Sequence, residues 1–338
     1  MTISANISLF AQVNSQVNRL NDLRSMFDNL QRQATTQKKY ETFSGFGPDS
    51  FSLQRLHTEQ TLTQSYLDNI DKVSNRMNLQ DKAMTQMSGI ANQLINAITL
   101  QVQGGVTDMT SINLLARQGL DFMQNLLNLD LDGHYLFAGS DVTSQPFIDN
   151  ATLNSNFANQ VASWLGGAQT TAQMITTTDA FTATNLGLSP ALATAGTMTA
   201  RIDDNLDIDY TTKADQTGFQ QVLRALGMMA NLKYPDPMVD IATPAEFQQV
   251  IDHVLTVATE GLQGIKDTNQ QLASKFNLVK AVKDNHVSDM ALLTTQIDKM
   301  ENADPTTVIA SMQALQTQLT ASYQVTRAVS QMSLVNFL

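Results

Sequence analysis

Apolar residues recur at every third or fourth position over long stretches near both ends of the sequence, which is typical of amphipathic helices. The first stretch predicts a helix over residues 3–33 that ends before the segment FSGFGPDS, which contains two Gly and a Pro. The last predicts a helix that begins at Asp304-Pro305, because Asp caps helices and Pro suits the first helical position.

Two further segments place apolar residues at alternating steps of four and three, a period of about 3.5 residues that is typical of coiled coils. The first segment contains Tyr66, Ile70, Val73, Met77, Gln80, Met84, Met87, Ala91, Leu94 and Ile98. The second contains Leu262, Ile265, Asn269, Leu272, Phe276, Val279, Lys283, His286, Met290, Leu293, Ile297 and Met300. Since each needs an apolar partner of similar length, the two are predicted to pack together as an antiparallel pair.

The middle of the chain, residues 141–217, is rich in Thr, Ala, Asn, Ser and Gly and predicts loops and short strands. The run RIDDNLDIDY, residues 201–210, alternates apolar and polar residues and predicts a strand, interrupted only by Asp204. Helical pattern returns at Gly218. A later helix is predicted to begin with a capping box formed by Thr243 and Glu246.

These elements predict a mainly α fold with a small β-rich insert. Its N- and C-terminal segments form a long antiparallel coiled-coil hairpin or bundle, with the variable domain at the tip. The predicted domains are terminal helices in 1–42 plus 301–338, a coiled-coil bundle in 43–140 plus 218–300, and a variable β/loop domain in 141–217.

Composition narrows the class of function. The net charge is −11, which argues against nucleic-acid binding because phosphate contacts need Lys and Arg. The chain has no Cys, so disulfides and thiol catalysis are excluded. No apolar run has the length of a membrane-spanning helix. The first residues lack the features of a cleaved secretory signal, so any export is expected to use another route.

No catalytic, cofactor-binding or metal-binding motif is found in the sequence. The four His, at 57, 134, 253 and 286, have no metal-ligand spacing, and His286 is expected to be a packed residue of the heptad seam. The acidic run DDNLDID, residues 203–209, lacks the Gly and Glu positions of a calcium loop and is expected to be a solvated strand face. Asn269 and Lys283 are expected to set the register of the seam.

Two motifs carry a resemblance to a known family. The run ASYQVTRAVSQMSLVNFL ends in a sequence that resembles the SQLSLLNYL-like C-terminus of the bacterial flagellin family, with Met332, Val335 and Phe337 as conservative differences. The segment GHYLFAGSDVTSQPF, residues 133–147, resembles the family's YLFSG-type turn and following Pro-Phe pair. This version is most similar to the hook–filament junction members of the family, of the hook-associated protein 3 type.

The resemblance implies a structural subunit of the bacterial flagellum that joins hook to filament, is not an enzyme and needs no cofactor. Its implied partners are copies of itself, the hook-side junction protein, flagellin and an export chaperone for residues 319–338. It implies an extracellular location after export without a cleaved signal peptide. The implied subunit-interface residues are Ile3, Ile7, Phe10, Val13, Val17, Leu20, Leu315, Leu319, Tyr323, Val329, Met332, Leu334, Val335, Phe337 and Leu338.

Three other hypotheses remain at this point. A flagellin that polymerises into the filament itself has the same order of parts. A secreted protease carried on a flagellin scaffold would need zinc ligands in the centre, but residues 141–217 contain no His. A cytosolic coiled-coil adaptor would function without its terminal helices.

Overall fold

The protein is mainly α-helical, as the apolar pattern predicts. The computed structural model describes the backbone of residues 2–104 and 108–335, and their side chains except those of 2–10, 12–13, 101–104 and 329–335. The helices are α1 (Thr2–Thr36), α2 (Ser50–Gly104), α3 (Thr110–Leu127), α4 (Asn150–Leu165), α5 (Thr171–Asp179), α6 (Thr217–Asn231), α7 (Pro244–Glu301) and α8 (Pro305–Val335). The strands are β1 (Asp130–Leu131), β2 (His134–Tyr135), β3 (Thr199–Asp203) and β4 (Leu206–Asp209).

The chain forms two compact units. Unit 1 comprises Met1–Gln64 and Val287–Leu338, and unit 2 comprises Ser65–His286. The three domains predicted from the sequence have other limits, and that division stays a prediction.

In unit 2 the heptad seam of α2 forms the centre of the core. All ten seam residues from Tyr66 to Ile98 are buried, including Gln80. The facing part of α7 runs in the opposite direction, since Lys283 Nζ lies 2.6 Å from Asp71 Oδ1 and His286 stacks on Tyr66 with ring centroids 5.4 Å apart. The predicted antiparallel pairing is therefore present within this unit.

His286 occupies the buried seam position that the heptad predicts. The residue is 8% exposed, and Nε2 lies 2.8 Å from the carbonyl oxygen of Ile202. The ring thus ties α7 to β3 with a hydrogen bond while its face packs on Tyr66.

The shorter helices of unit 2 complete its core. Helix α6 packs against α3 and α4, and α4 also contacts α5. At the start of α6, a Cβ added to Gly218 would lie 2.6 Å from the backbone carbon of Gly264 in α7. This contact requires glycine, because the two helices meet backbone to backbone.

The prediction of loops and short strands for residues 141–217 is wrong where α4 and α5 form. Helix α4 buries Leu153, Phe157, Val161 and Trp164, which recur at helical spacing within a polar sequence. Asp149 caps α4 by accepting hydrogen bonds from two backbone N–H groups, and Thr170 and Gln173 form a capping box for α5. Caps and a few large apolar residues determine these helices, although the general composition favours loops.

The single strand predicted over residues 201–210 is a hairpin instead. Strands β3 and β4 pair antiparallel, with Asp203 opposite Leu206, so that Asp204 and Asn205 form the turn. The interruption at Asp204 is therefore the turn between two strands. Ile202 and Ile208 are buried, as the alternation predicts.

The predicted starts of α7 and α8 are confirmed. At α7, Glu246 N donates to Thr243 Oγ1 over 3.2 Å, and Thr243 N donates to Glu246 Oε2 over 2.8 Å. At α8, Thr306 N donates to Asp304 Oδ1 over 3.0 Å. Each cap satisfies backbone N–H groups that the first helical turn leaves without partners.

The segment Gly133–Phe147 anchors the β1–β2 turn to the core. Phe137 and Phe147 are fully buried. The side chain of Asn128 accepts a hydrogen bond from Phe147 N over 2.8 Å and donates one to Phe147 O over 2.7 Å. The motif that resembles the flagellin family thus has a packing role in this chain.

Candidate assembly surface

The first and last helices, α1 and α8, pack against each other in unit 1. Val308 and Leu315 of α8 are buried within the unit. Other apolar residues of the pair stay largely exposed: Val17 (42%), Met26 (57%), Ile309 (52%), Tyr323 (54%) and Val325 (54%). Two helices cannot cover apolar residues that extend around more than one face, so this pair retains an apolar surface.

A groove of about 240 Å³ runs between the two helices at the level of Leu20 and Val325. It is lined by Gln16, Arg19, Leu20, Gln318, Ala321, Ser322, Val325 and Thr326. Gln16 Oε1 is buried and has no hydrogen-bond partner among the described residues. A buried amide oxygen without a partner is costly, so this groove offers an acceptor to any donor that enters it.

The interface residues implied by the family resemblance fall into four groups. Val17 and Tyr323 are exposed, and Leu20 and Leu319 are half-buried in the α1–α8 pair. Leu315 is 9% exposed, because it faces the interior of unit 1. The side chains of Ile3, Ile7, Phe10, Val13, Val329, Met332, Leu334 and Val335, and the whole of Phe337 and Leu338, lie outside the described residues.

Three exposed apolar residues of this surface were not among the predicted set: Met26, Ile309 and Val325. Met26 and Ile309 lie off the main stripe of their helices, so a heptad or helical period alone does not select them. Val325 belongs to the apolar C-terminal run, but its exposure depends on the direction from which α1 packs.

The connection between α1 and α2 is fastened to the end of α7 by a cluster around Glu301. Glu301 Oε1 lies 2.6 Å from His57 Nε2, and Glu301 Oε2 lies 3.0 Å from Lys38 Nζ. Lys39 N donates to Glu301 O over 2.7 Å, and Lys39 Nζ donates to the carbonyl oxygens of Lys299 and Met300. A cation at the carboxyl end of a helix is favourable, because that end carries partial negative charge.

Burial of Glu301 raises its pKa, but hydrogen bonds with His57 and Lys38 and the charges of those groups outweigh burial and hold the pKa below its ordinary value. The carboxylate is therefore ionised in the folded protein at neutral pH. This carboxylate connects the segment between α1 and α2, helix α2 and helix α7 within unit 1.

The acidic run 203–209 has protein partners. Arg201 Nε donates to Asp207 Oδ1 over 2.9 Å, and Tyr66 Oη donates to Asp204 Oδ1 over 2.8 Å. Among the described residues, no group of three or more His, Asp or Glu side chains is arranged to hold a metal ion. In the same part of the chain, no helix combines the length and apolarity that crossing a membrane requires.

The architecture defines a class of mainly helical proteins in which the first and last helices pair and the longest helices pack antiparallel. The chain is similar to a protein from Vibrio parahaemolyticus that is assigned as a flagellar hook-associated protein, with a TM-score of 0.52, 12% identity, and coverage of 75% of this chain and 97% of that one. This likeness shows a common fold.

A second similar structure is that of FlgL from Bacillus cereus, with a TM-score of 0.43, 15% identity, and coverage of 72% of this chain and 98% of that one. No protein-family model matches the chain. No curated protein matches it in sequence.

Proposed function

We propose that this chain is a structural subunit of the bacterial flagellum that joins the hook to the filament. The observation that carries the proposal is the α1–α8 pair, whose exposed apolar residues need partners that the described part of unit 1 does not supply. The fold shared with a hook-associated protein and the flagellin-like C-terminal motif support the same function.

The partners proposed for this surface are neighbouring copies of the chain, the hook-side junction protein and flagellin. Covering a fully exposed large apolar side chain contributes about 1.5–3 kcal/mol, so covering a half-exposed one contributes about half of that. Five such residues are largely exposed on the α1–α8 pair, so neighbouring subunits can gain substantial stability by covering them. The interface is made of packed helices, and its role is mechanical rather than catalytic.

The proposal includes a location outside the cell, reached by export without a cleaved signal peptide. Before assembly, an export chaperone is proposed to cover the apolar residues of 319–338. A chaperone is needed because an apolar helix surface that neighbouring subunits do not yet cover causes aggregation unless another protein covers it.

The substitution Val325→Asp tests the surface directly. Val325 is 54% exposed in the isolated chain, so Asp leaves the fold of unit 1 intact. In the assembly the same carboxylate would be buried without a partner, at a cost of several kcal/mol. We expect loss of swimming in the bacterium that encodes the chain, with the circular-dichroism melting curve of the purified protein unchanged.

The matched control is Gln324→Asp, which adds the same charge at the neighbouring exposed position of α8. We expect it to reduce swimming much less than Val325→Asp does. Leu334→Asp and Phe337→Asp, at sites implied by the family motif, are expected to act like Val325→Asp. Normal swimming of the Val325→Asp strain would contradict the proposed function.

A further inference from the structure

A basic groove of about 830 Å³ lies on unit 2, between one face of α2 and the β1–β2 turn. Lys72, Arg76 and Lys82 line it from α2, at spacings that place them on one side of the helix. Leu79 and Leu131 contribute half-buried apolar surface to its floor.

The charge of this groove is opposite to that of the whole chain, which is −11. Among the described residues, no carboxylate forms an ion pair with Lys72, Arg76 or Lys82. Arg76 Nε is buried and has no hydrogen-bond partner in that part of the chain. Asp132 is the one carboxylate among the lining residues, so the groove is suited to an acidic ligand.

An acidic, apolar turn lies elsewhere on unit 2, at residues 236–241. Met238 is 95% exposed and Val239 is 78% exposed, and Asp236 and Asp240 flank them. Asp236 N donates to Asp240 Oδ2 over 2.8 Å, and Met238 N donates to Asp236 Oδ1 over 3.0 Å. These bonds hold the turn in one conformation, so it loses little conformational entropy when it binds.

The turn is attached to the end of α4 in its own chain. Ile241 N donates to Leu165 O over 2.8 Å, and the Ile241 side chain lies against Gly167. Among the described residues, no hydrogen bond or ion pair links the turn to the groove. Each surface is therefore available to another molecule.

We propose that the turn of one copy docks in the groove of a neighbouring copy. Met238 and Val239 would pack on Leu79 and Leu131, while Asp236 and Asp240 would face Lys72 and Lys82. Met adapts well to irregular apolar surfaces, and the opposite charges fix the orientation of the contact. Because the turn and the groove are on the same chain, every copy can make the same contact with its neighbours.

A contact between two different surfaces of one chain is directional, and repeated copies then form a ring or a helical array. The inference rests on the proposed function, since it needs copies arranged side by side. It adds a second contact, made by unit 2, to the one that the terminal helices supply.

Site-specific cross-linking tests this contact cleanly, because the chain contains no Cys. Met238→Cys in one preparation and Asn75→Cys in another introduce one thiol each, at the turn and at the groove. The two preparations are mixed and treated with a short bismaleimide. We expect a cross-linked dimer that forms well above the yield of a control pair, Met238→Cys with Thr177→Cys on the exposed side of α5.

Charge reversal tests the chemistry of the contact. Lys72→Glu with Lys82→Glu in the Asn75→Cys chain is expected to reduce the dimer by about tenfold, and added salt is expected to reduce it as well. Both Lys side chains are exposed, so the fold should persist, and the fluorescence of Trp164 checks this. The Met238→Cys chain keeps Asp236 and Asp240 in this test, because their carboxylates accept the hydrogen bonds that hold the turn.

A yield equal to that of the control pair, or a yield unaffected by charge reversal, would overturn the inference. Deletion of residues 322–338 distinguishes a failure of the turn–groove contact from a failure of the proposed function. If the deletion strain swims normally, the proposed function fails. If the strain does not swim and the turn–groove pair still cross-links at the control yield, only the contact proposed here fails.

Discussion

Glu301 illustrates how a single residue holds an irregular part of the chain in place. Its carboxylate is 11% exposed and lies within hydrogen-bond distance of both His57 and Lys38. The backbone around it is paired as well, since Ala303 N donates to Gln37 O over 2.9 Å. The first residues after α1, Gln37–Lys39, are polar, so these polar contacts do much to fix their path.

The lowered pKa of Glu301 predicts a dependence of stability on acid. A carboxyl group whose pKa is lower in the folded than in the unfolded state stabilises the fold above its ordinary pKa of 4.5. That stability is lost as the pH falls through the folded-state value. We expect the amides of Lys39 and Ala303 to lose protection against hydrogen exchange, corrected for the intrinsic rate, below about pH 4.5.

The variant Glu301→Gln provides the control. It keeps the size of the side chain but cannot ionise, so its protection at pH 7 should already be lower, by about 1–3 kcal/mol. Its protection should then change little as acid is added. If wild type and variant lose protection in parallel over the same pH range, Glu301 is not the group responsible.

At the scale of the elements, the heptads of α2 and α7 could be read from the sequence. Every seam position of α2 from Tyr66 to Ile98 is buried, because a period of about 3.5 residues aligns those side chains on one face. The caps at Thr243 and Asp304 were equally clear, since a cap is a local hydrogen-bond pattern. Capping motifs and long heptad repeats therefore predict most of the helical framework.

The short elements of the middle region could not be predicted in the same way. Helix α5 has nine residues, which is too short for a period to stand out in a Thr-rich sequence. The β3–β4 hairpin reads as one strand because its turn, Asp204-Asn205, is only two residues long. Tertiary packing decides such elements, and a single sequence does not show that packing.

The candidate site was predictable in outline only. The apolar stripes of α1 and α8 identify the helices that take part. Which residues remain exposed depends on how the two helices pair, and this is why Leu315 is buried while Val325 is exposed. The basic groove of unit 2 was not predictable, since it joins α2 to a turn that follows some fifty residues later.

The close approach of α6 and α7 predicts that a side chain at Gly218 destabilises unit 2. A Cβ at Gly218 would lie 2.6 Å from Gly264 C and 2.7 Å from Ile265 N, both of which are backbone atoms that cannot move aside. We expect Gly218→Ala to destabilise unit 2 by about 1–3 kcal/mol. Trp164, the one Trp of the chain, is buried in this unit, so its fluorescence during urea unfolding measures the change.

Gly89→Ala is the matched control within the same unit. It lies inside α2, and nothing lies within 4 Å of the added Cβ. Alanine favours helix more than glycine does, so stability should rise by up to about 1 kcal/mol. Equal effects of the two substitutions would show that the contact between α6 and α7 is not tight.

At the scale of the whole molecule, the protein combines a well-packed core with surfaces that need partners. Unit 2 contains a continuous apolar core, whereas the α1–α8 pair of unit 1 keeps several large apolar residues exposed. A chain of this kind can fold by itself and complete its packing by assembly. Few charges, 15% of all residues, fit a surface that is covered by neighbours in the working state.

The most direct measurement is immunogold electron microscopy of flagella from the bacterium that encodes the chain, with an epitope tag inserted after Thr194 in an exposed loop of unit 2. The account predicts gold particles at one point on each flagellum, between hook and filament. Particles along the whole filament would identify a flagellin instead. Flagella that carry no particles, from cells that produce the tagged chain and swim normally, would contradict a structural role in the flagellum.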